Sequence, residues 1–402
     1  MNNPPPGRNA HKQASYLATT CHIGYFMRPM ITKVIKLDAI EIDAAKINEA
    51  AALVDAGGLV AFPTETVYGI ACRVKTDSLD RLSKVKGRSS DKYYTLHICQ
   101  KNDVRKYVPT PGLKAQKLIE HAWPGPVTIV FELDEEDIEK QQRILEREIF
   151  ENLYKDNSIG IRCPDNPIAA MLLQAANYPV VAPSANITGQ PPAVDAEQVL
   201  AQLSGKIELL LDGGACKYKT SSTIVEIGNG RAGILRPGIY SQAELEKLSQ
   251  IKFLFVCTGN TCRSPMAVGI FQKYLAEKLR CEVDHLDKMG YKVSSAGTMD
   301  MAEHPASEEA VAACAARGID IKAHRSRELS RELVEESDFI FVMERTHQKT
   351  VIAISPQATI KCALLAENKE IPDPIGQPQE SFNNCAELIE RAVRKRIGEL
   401  VI

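Results

Sequence analysis

Nine consecutive residues, Cys257-Thr258-Gly259-Asn260-Thr261-Cys262-Arg263-Ser264-Pro265, place a nucleophile, a fixed cation and two kinds of hydroxyl within one loop. The run follows the apolar segment Phe253-Leu254-Phe255-Val256 and opens a helical pattern. A loop that leaves a strand and enters a helix aims successive backbone N–H groups at one spot. The helix start adds partial positive charge there, and a phosphoryl group fits. The same field favours the thiolate of Cys257, the form that attacks. Arg263, six residues on, can grip two equatorial oxygens at once. Ser264 can bond the sulfur and ease its departure in a second step. Gly259 permits tight backbone geometry, and Asn260 tolerates a left-handed conformation. An arbitrary Cys-x5-Arg match is by default a buried thiol and a surface arginine. The strand before, the helix after, and Gly, Asn, Ser and Pro in place argue instead for chemistry.

A second set of groups is spread over two hundred residues. It comprises Pro63-Thr64-Glu65-Thr66-Val67-Tyr68-Gly69, Lys86-Gly87-Arg88, Trp123-Pro124-Gly125-Pro126-Val127-Thr128, Gly160-Ile161-Arg162-Cys163-Pro164, Ala182-Pro183-Ser184-Ala185-Asn186, Ser221-Ser222-Thr223 and Leu235-Arg236-Pro237-Gly238. Each alone is weak: helix-end cations are usually surface residues favoured by the dipole, and Ser-Ala-Asn is a common turn. Together they collect cations, hydroxyls and glycine-permitted backbone at strand ends, as a nucleotide plus a small carboxylate would need. There is no GxxxxGK[ST] loop, so an ordinary P-loop NTPase is excluded.

These groups must be positioned by more than one core, since 402 residues exceed what one core usually serves. Net charge is −2, which argues against a bulk electrostatic grip on nucleic acid or anionic membrane. Eleven cysteines, with no CxxC pair and no metal-like spacing, predict reduced thiols in a cytoplasmic protein without a bound metal. No apolar run is long enough to span a bilayer. The first residues, with Pro4 to Pro6, lack a signal-peptide core and read as a disordered tail, 1–32.

From 33 to 240 the pattern is mixed α/β. A short strand spans Val34 to Leu37, and a helix runs from Asp43 to Asp55. Further strands are expected at Leu59 to Phe62, Tyr94 to Ile98, Val127 to Leu133, Ser158 to Arg162, Val180 to Ala182, Leu209 to Leu211, Ser222 to Ile227 and Gly233 to Leu235. The charged stretch Asp134 to Asp156 reads as a solvated helix or loop. Residues 241–250 form a linker holding a short polar helix. From 251 to 402 strands alternate with helices, with further strands at Lys292 to Ser295, Phe339 to Met343 and Lys361 to Leu365. Alternation of this kind predicts a doubly wound parallel sheet.

The segment Ile251 to Leu400 resembles the low-molecular-weight protein tyrosine phosphatases and their arginine-phosphatase and arsenate-reductase relatives. Ser294-Ser295-Ala296-Gly297-Thr298, His324-Arg325-Ser326-Arg327 and Asp373-Pro374 add to the Cys257 loop. The resemblance implies that Cys257 attacks phosphorus and Arg263 holds the phosphoryl group; Ser264 and Asn260 are counted with them as catalytic residues. Asp373 would protonate the leaving group and then activate water, with no cofactor. Tyrosine-specific relatives follow the acid's proline with an aromatic residue, where this chain has Ile375-Gly376. They often carry isoleucine where it has Thr261. The expected substrate is therefore a phosphoprotein, with phosphoarginine favoured and phosphotyrosine the alternative. Arsenate reduction is disfavoured because Cys314 and Cys362 are solitary. Cys262 is equally a buried helix-start cysteine or the partner of a protective disulfide with Cys257.

Residues from about Val34 to Leu248 resemble the YrdC family throughout, in the order and spacing of the motifs. Such proteins condense L-threonine, bicarbonate and ATP into threonylcarbamoyl-adenylate for tRNA modification. The resemblance implies that Thr66, His97, Arg162 and Ser222 hold L-threonine. It likewise implies that Lys86, Arg88, Ser158, Ala182, Ser184, Asn186 and Arg236 surround ATP, with Lys86 in a catalytic role. Mg²⁺ is expected with the triphosphate, and tRNA-modification transferases are the expected partners. A lone histidine on an apolar strand is more often a core residue, and His97 owes its assignment to its place after Lys-Gly-Arg. Family members commonly carry Asn-Pro-Leu where this chain has Lys92-Tyr93-Tyr94, so the loop is expected to hold nucleotide differently. The alternative reading is a nucleotide- or double-stranded-RNA-binding module beside a catalytic phosphatase.

Overall fold

The computed structural model describes residues 30–38, 40–89, 94–301 and 303–402. The 1–29 part of the expected tail, and Lys92 and Tyr93, lie outside the described residues. Thr32, which the sequence reading left in the tail, is buried, and its hydroxyl donates to Ile207 O at 2.8 Å.

Ten strands form the first sheet: β1 Lys33–Lys36, β2 Val60–Phe62, β3 Gly69–Arg73, β4 Leu96–His97, β5 Val127–Glu132, β6 Ser158–Arg162, β7 Val180–Val181, β8 Leu209–Asp212, β9 Thr223–Gly228 and β10 Arg231–Arg236. Their spatial order is β1-β8-β2-β3-β7-β4-β6-β5-β9-β10, with parallel and antiparallel neighbours mixed. Both faces are covered. On β2, Val60 and Phe62 pack with helices α1 (Ala44–Asp55) and α6 (Pro167–Ala175), while Ala61 joins the larger core on the other side. A strand buried on both faces reads as a continuous apolar run, which is why Leu59 to Phe62 shows no alternation. The other helices of this half are α2 Thr76–Lys86, α3 Leu113–Ala122, α4 Glu135–Ile144, α5 Arg147–Leu153, α7 Ala196–Leu203 and α8 Gln242–Leu248.

Three local readings change. Strand β3 was not anticipated, because its GIACR sequence is short, starts with glycine and follows a motif read as a turn. Strand β4 keeps only two of the five residues expected, since Tyr94 leaves the sheet to bond Ser83. The charged stretch folds as α4 and α5. It buries Ile138, Gln141 and Leu153, so only one side of it is solvated.

The second sheet is parallel, in the order β12-β11-β13-β14, built from β11 Ile251–Cys257, β12 Tyr291–Gly297, β13 Phe339–Val342 and β14 Cys362–Leu364. Side chains alternate along β11. Phe253, Phe255 and Cys257 join the core with α9 (Arg263–Leu279) and α13 (Gln379–Glu399). Leu254 and Val256 join the core with α11 (Arg331–Glu336) and α12 (Arg345–Ile354), and α10 spans Glu308–Ala315. Strand order reverses at β11. The loop after it therefore lies at a topological switch point, where doubly wound sheets bind ligands.

The halves are joined by folded structure. Ser241 and Glu244 cap α8 reciprocally, Leu245 is buried in the first core, and β11 starts three residues after the helix ends. Across the seam Leu113 N donates to Val401 O at 3.0 Å, Tyr291 Oη to Gly230 O at 3.1 Å, and Lys117 pairs with Asp338 at 2.6 Å. Among the described residues no helix is long and apolar enough to cross a membrane.

Candidate active sites

A cavity of about 450 Å³ opens over the first sheet. Its wall includes Arg88, His97, Ser158, Arg162, Ala182, Ser184, Ser222 and Arg236. These come from six stretches of chain, so only the folded sheet makes them neighbours. Gly87 makes one junction possible. It ends α2 in the left-handed region at φ 59°, which turns Arg88 back toward the cavity.

Arg162 is buried, and its Nη2 donates to Glu65 Oε1 and to Thr66 Oγ1, both at 2.7 Å. Its Nε is buried with no acceptor among the described residues. Thr66 thus serves Arg162 from behind and is not part of the cavity wall. Glu65 was quoted in the sequence motif without a role. It neutralises part of this cation, and its other oxygen accepts from Asp165 N. Arg236 Nη2 donates to Ser222 O at 2.7 Å, while Ser222 Oγ lies 3.1 Å from Thr128 Oγ1. Burial, and secondly Arg162, lower the pKa of Arg236, so two crowded guanidinium groups await negative charge. Burial first, then Arg162, push His97 down to about 3, so its ring is neutral. Its Nδ1 lies 3.1 Å from Thr95 O, which can only accept, so Nδ1 carries the proton and Nε2 is an acceptor.

Lys86 lies outside the cavity wall. Its ammonium donates to Ser184 O and to Asn186 O and Oδ1. Asn186 is likewise engaged with the loop, donating to Ile187 O and Gln190 O. Both residues therefore shape the 184–190 loop that presents Ser184. Burial, then Arg88, push Lys86 down to about 8. Tyr94, at the unusual end of the Lys92-Tyr93-Tyr94 stretch, lines the cavity. Its ring centroid is 4.5 Å from the Arg88 guanidinium carbon and its hydroxyl bonds Ser83 at 2.8 Å. Sequence reasoning also passed over Lys155 and Asp156, which reach the wall from beyond α5.

The Cys257 loop closes around the sulfur. Asn260 N donates to Cys257 Sγ at 3.3 Å, and Ser264 Oγ lies 3.0 Å from it. Asn260 takes φ 55°, the left-handed value its type tolerates. Its amide donates to Ser264 Oγ and Ser295 Oγ, both at 2.8 Å, and its Oδ1 accepts from Arg327 N. The Ser294 and His324 motifs of the sequence thus pack around Asn260, with His324 Nε2 2.7 Å from Asn260 O. Gly297 permits the contact, since a Cβ there would stand 2.8 Å from Thr258 O. Arg263 is 1% exposed and pairs with Glu344 and Asp373. Asp373 therefore reaches the loop from more than a hundred residues away. Glu344 had drawn no notice in the sequence. Burial raises the Cys257 thiol, opposed by Ser264, Arg263 and the Asn260 N–H, and the net direction is up. Cys257 and Cys262 are free thiols, and Cys262 Sγ lies 3.6 Å from Ser307 Oγ.

A family model described as telomere recombination, covering Sua5, YciO and YrdC, matches residues 52–238. Another, for low molecular weight phosphotyrosine protein phosphatases, matches residues 252–401. The chain is 31% identical over 237 residues to the threonylcarbamoyl-AMP synthase of Pyrococcus abyssi, aligning 58% of itself with 66% of that protein. It thus spans just under two thirds of that relative's length. It is 30% identical over 203 residues to a Mycobacterium tuberculosis protein named as a candidate threonylcarbamoyl-AMP synthase, covering 50% of itself and 88% of that chain. It is 36% identical over 151 residues to the Escherichia coli low molecular weight protein-tyrosine-phosphatase Etp, covering 36% of itself and 93% of Etp.

Proposed function

The chain belongs through its two halves to the Sua5/YciO/YrdC synthases and the low-molecular-weight phosphatases, and from that premise we propose one bifunctional enzyme. The first half makes L-threonylcarbamoyl-adenylate from L-threonine, bicarbonate and ATP, for transfer to tRNA by partner proteins. The second half hydrolyses a phosphorylated amino acid in a protein.

The observation that carries the synthase reading is Arg162. A buried guanidinium with an unpaired Nε at a cavity wall calls for a carboxylate ligand. The threonine carboxylate answers it, with His97 Nε2 offering an acceptor to the amino acid's donors. Carbamate forms as the threonine amine attacks bicarbonate and water leaves. A carbamate oxygen then attacks the α-phosphorus of ATP, and pyrophosphate departs. Arg88 and Arg236 stabilise the charge on the departing group, and a cavity filled by its substrates leaves little room for water beside the labile carbamate. Mg²⁺ would enter on the triphosphate. Asp156 is the carboxylate in the cavity wall, and a metal that keeps waters and phosphate oxygens as ligands asks for little more. Pyrophosphate release should require both threonine and bicarbonate and be lost in Arg162→Ala. Release independent of threonine, by folded protein, would overturn this reading.

In the second half the Cys257 thiolate attacks phosphorus while Asp373 gives its proton to the leaving group. Asp373 then takes a proton from the water that cleaves the phosphocysteine. Thr261, small and polar, and the exposed Ile375 beside Asp373 favour a guanidino leaving group over a phenolic ring. Hydrolysis of phosphoarginine in preference to phosphotyrosine peptides is expected, and a strong tyrosine preference would reverse the assignment. The ten described cysteines are free thiols, consistent with placing both activities in a cytoplasm.

A further inference from the structure

Two residues beside the phosphatase site, Thr258 and His347, take no part in the chemistry described so far. His347 is buried at the third position of α12, where its Nδ1 accepts from the backbone N–H of Glu344 at 3.1 Å. A backbone N–H can only donate, so Nδ1 is unprotonated and the ring proton of neutral His347 must sit on Nε2. That nitrogen lies 3.0 Å from Thr258 Oγ1 and therefore donates to it. Arg263 Nη2 donates to the same oxygen at 3.0 Å. The Thr258 hydroxyl thus receives two donors, which leaves its own proton to give, the polarity an anion on the guanidinium requires.

We propose that His347 and Thr258 are positioning residues for the phosphatase reaction: the helix start locks the histidine tautomer, the histidine holds the threonine hydroxyl, and the hydroxyl holds the Arg263 guanidinium. Arg263 makes four such contacts, with Thr258, Ile371 O at 3.1 Å, Glu344 and Asp373. An incoming phosphoryl group competes with both carboxylates, because each carries the charge it would bring. Ile371 O and the Thr258 hydroxyl are neutral and need not yield. Ile371 O fixes Nη1 and Thr258 fixes Nη2, so together they hold the plane of the guanidinium while its ionic partners exchange. The charged groups facing His347 are Arg263, Glu344, Asp373 and Glu370. Burial and Arg263 lower its pKa, which keeps the ring neutral and the relay intact.

This inference rests on the phosphatase reading, which turnover of p-nitrophenyl phosphate by the wild-type chain tests by itself. Inorganic phosphate binding, measured by calorimetry, tests the relay without turnover. His347→Gln and His347→Glu both preserve an acceptor for the Glu344 N–H, as in a capping box, but only glutamine can also donate to Thr258. Thr258→Val and His347→Glu should each weaken phosphate binding and kcat/KM about tenfold or more, the scale of one hydrogen bond to a charged group. His347→Gln should stay within about threefold of wild type. The double variant Thr258→Val/His347→Glu should be no worse than the poorer single variant, because both act on one chain of bonds. Wild-type behaviour in both the glutamine and glutamate variants would reduce His347 to a helix cap and overturn the proposal, and equal losses in the two would overturn it as well. So would multiplicative losses in the double variant, or an unaffected Thr258→Val.

Discussion

Two ionisable side chains show how environment decides role. Around Cys257, Glu344 and Asp373 share Arg263, the cation that opposes burial and favours the thiolate. An arriving phosphoryl group would compete with both carboxylates for the Arg263 guanidinium. Removing one carboxylate in Glu344→Gln should lower the Cys257 pKa. The pH dependence of Cys257 alkylation by iodoacetamide, followed by mass spectrometry, checks this. An unmoved profile would show that Glu344 has no hold on the thiol. His97 presents the opposite case. Burial and Arg162 hold it near 3, so it is neutral at pH 7 and well below. Threonine-dependent pyrophosphate release should therefore show no limb near pH 6.5, and a limb there that vanishes in His97→Asn would contradict the neutral-acceptor role. Tyr94→Leu, which removes the ring under Arg88, should raise the KM for ATP by about three- to tenfold, the worth of a partly buried cation–π contact.

Between single residues and whole sheets lie the short elements that aim them. Helix α2 ends on Lys86, which donates to three oxygens of the 184–190 loop. Position alone is then sufficient to explain why this lysine matters. Lys86→Met strands buried acceptors, at about 1–3 kcal/mol for each such group left unmatched. The expected results are a lower melting temperature and faster hydrogen exchange from Ala185 to Ile187, together with weaker synthase activity. Loss of activity with exchange unchanged would instead return Lys86 to direct contact with the triphosphate. Strand β4 teaches a related point. It is only two residues long because Tyr94 is drawn toward Ser83 and Arg88, so local packing overrides the strand propensity of Tyr94 to Ile98.

Across the whole molecule, the seam is made by α3 and the β9–β10 hairpin of one half against β11 to β13 and the C-terminal residues of the other. Lys114 is buried there, its ammonium 5.1 Å from the centre of the Tyr291 ring, and burial pushes it down to about 8. A lysine whose folded pKa is depressed costs stability while charged. The cost is full below about pH 8 and is relieved as pH rises toward the unfolded value of 10.5. The difference amounts to a penalty on the order of 3 kcal/mol, partly offset by the aromatic ring. Lys114→Met should therefore stabilise the chain at pH 7 by about 1–2 kcal/mol and flatten the rise in stability between pH 8 and 10. Thermal or urea unfolding across that range checks both, and a less stable methionine variant would show that the cation itself holds the seam.

Much of this was open to a reader of the residues alone. The Cys257 loop is contiguous, so one stretch of sequence carries its strand, its turn and its helix start. Asn260 and Gly87 advertise their left-handed backbone by residue type. The alternation after residue 251 follows from the need to bury both faces of a parallel sheet. What remained closed were relations between distant segments. Glu344 and His347 are unremarkable until β13 and α12 set them beside Arg263, and Glu65 has no role until β6 brings Arg162 to it. Lys86 read as a free cation for ATP, and the structure turns it toward the 184–190 loop. Sequence determines which groups are present and how each short segment bends, because those depend on local sterics and apolar periodicity. Tertiary structure alone decides which charges neutralise one another, because Coulomb and hydrogen-bond energies depend on separations in space that chain distance does not encode.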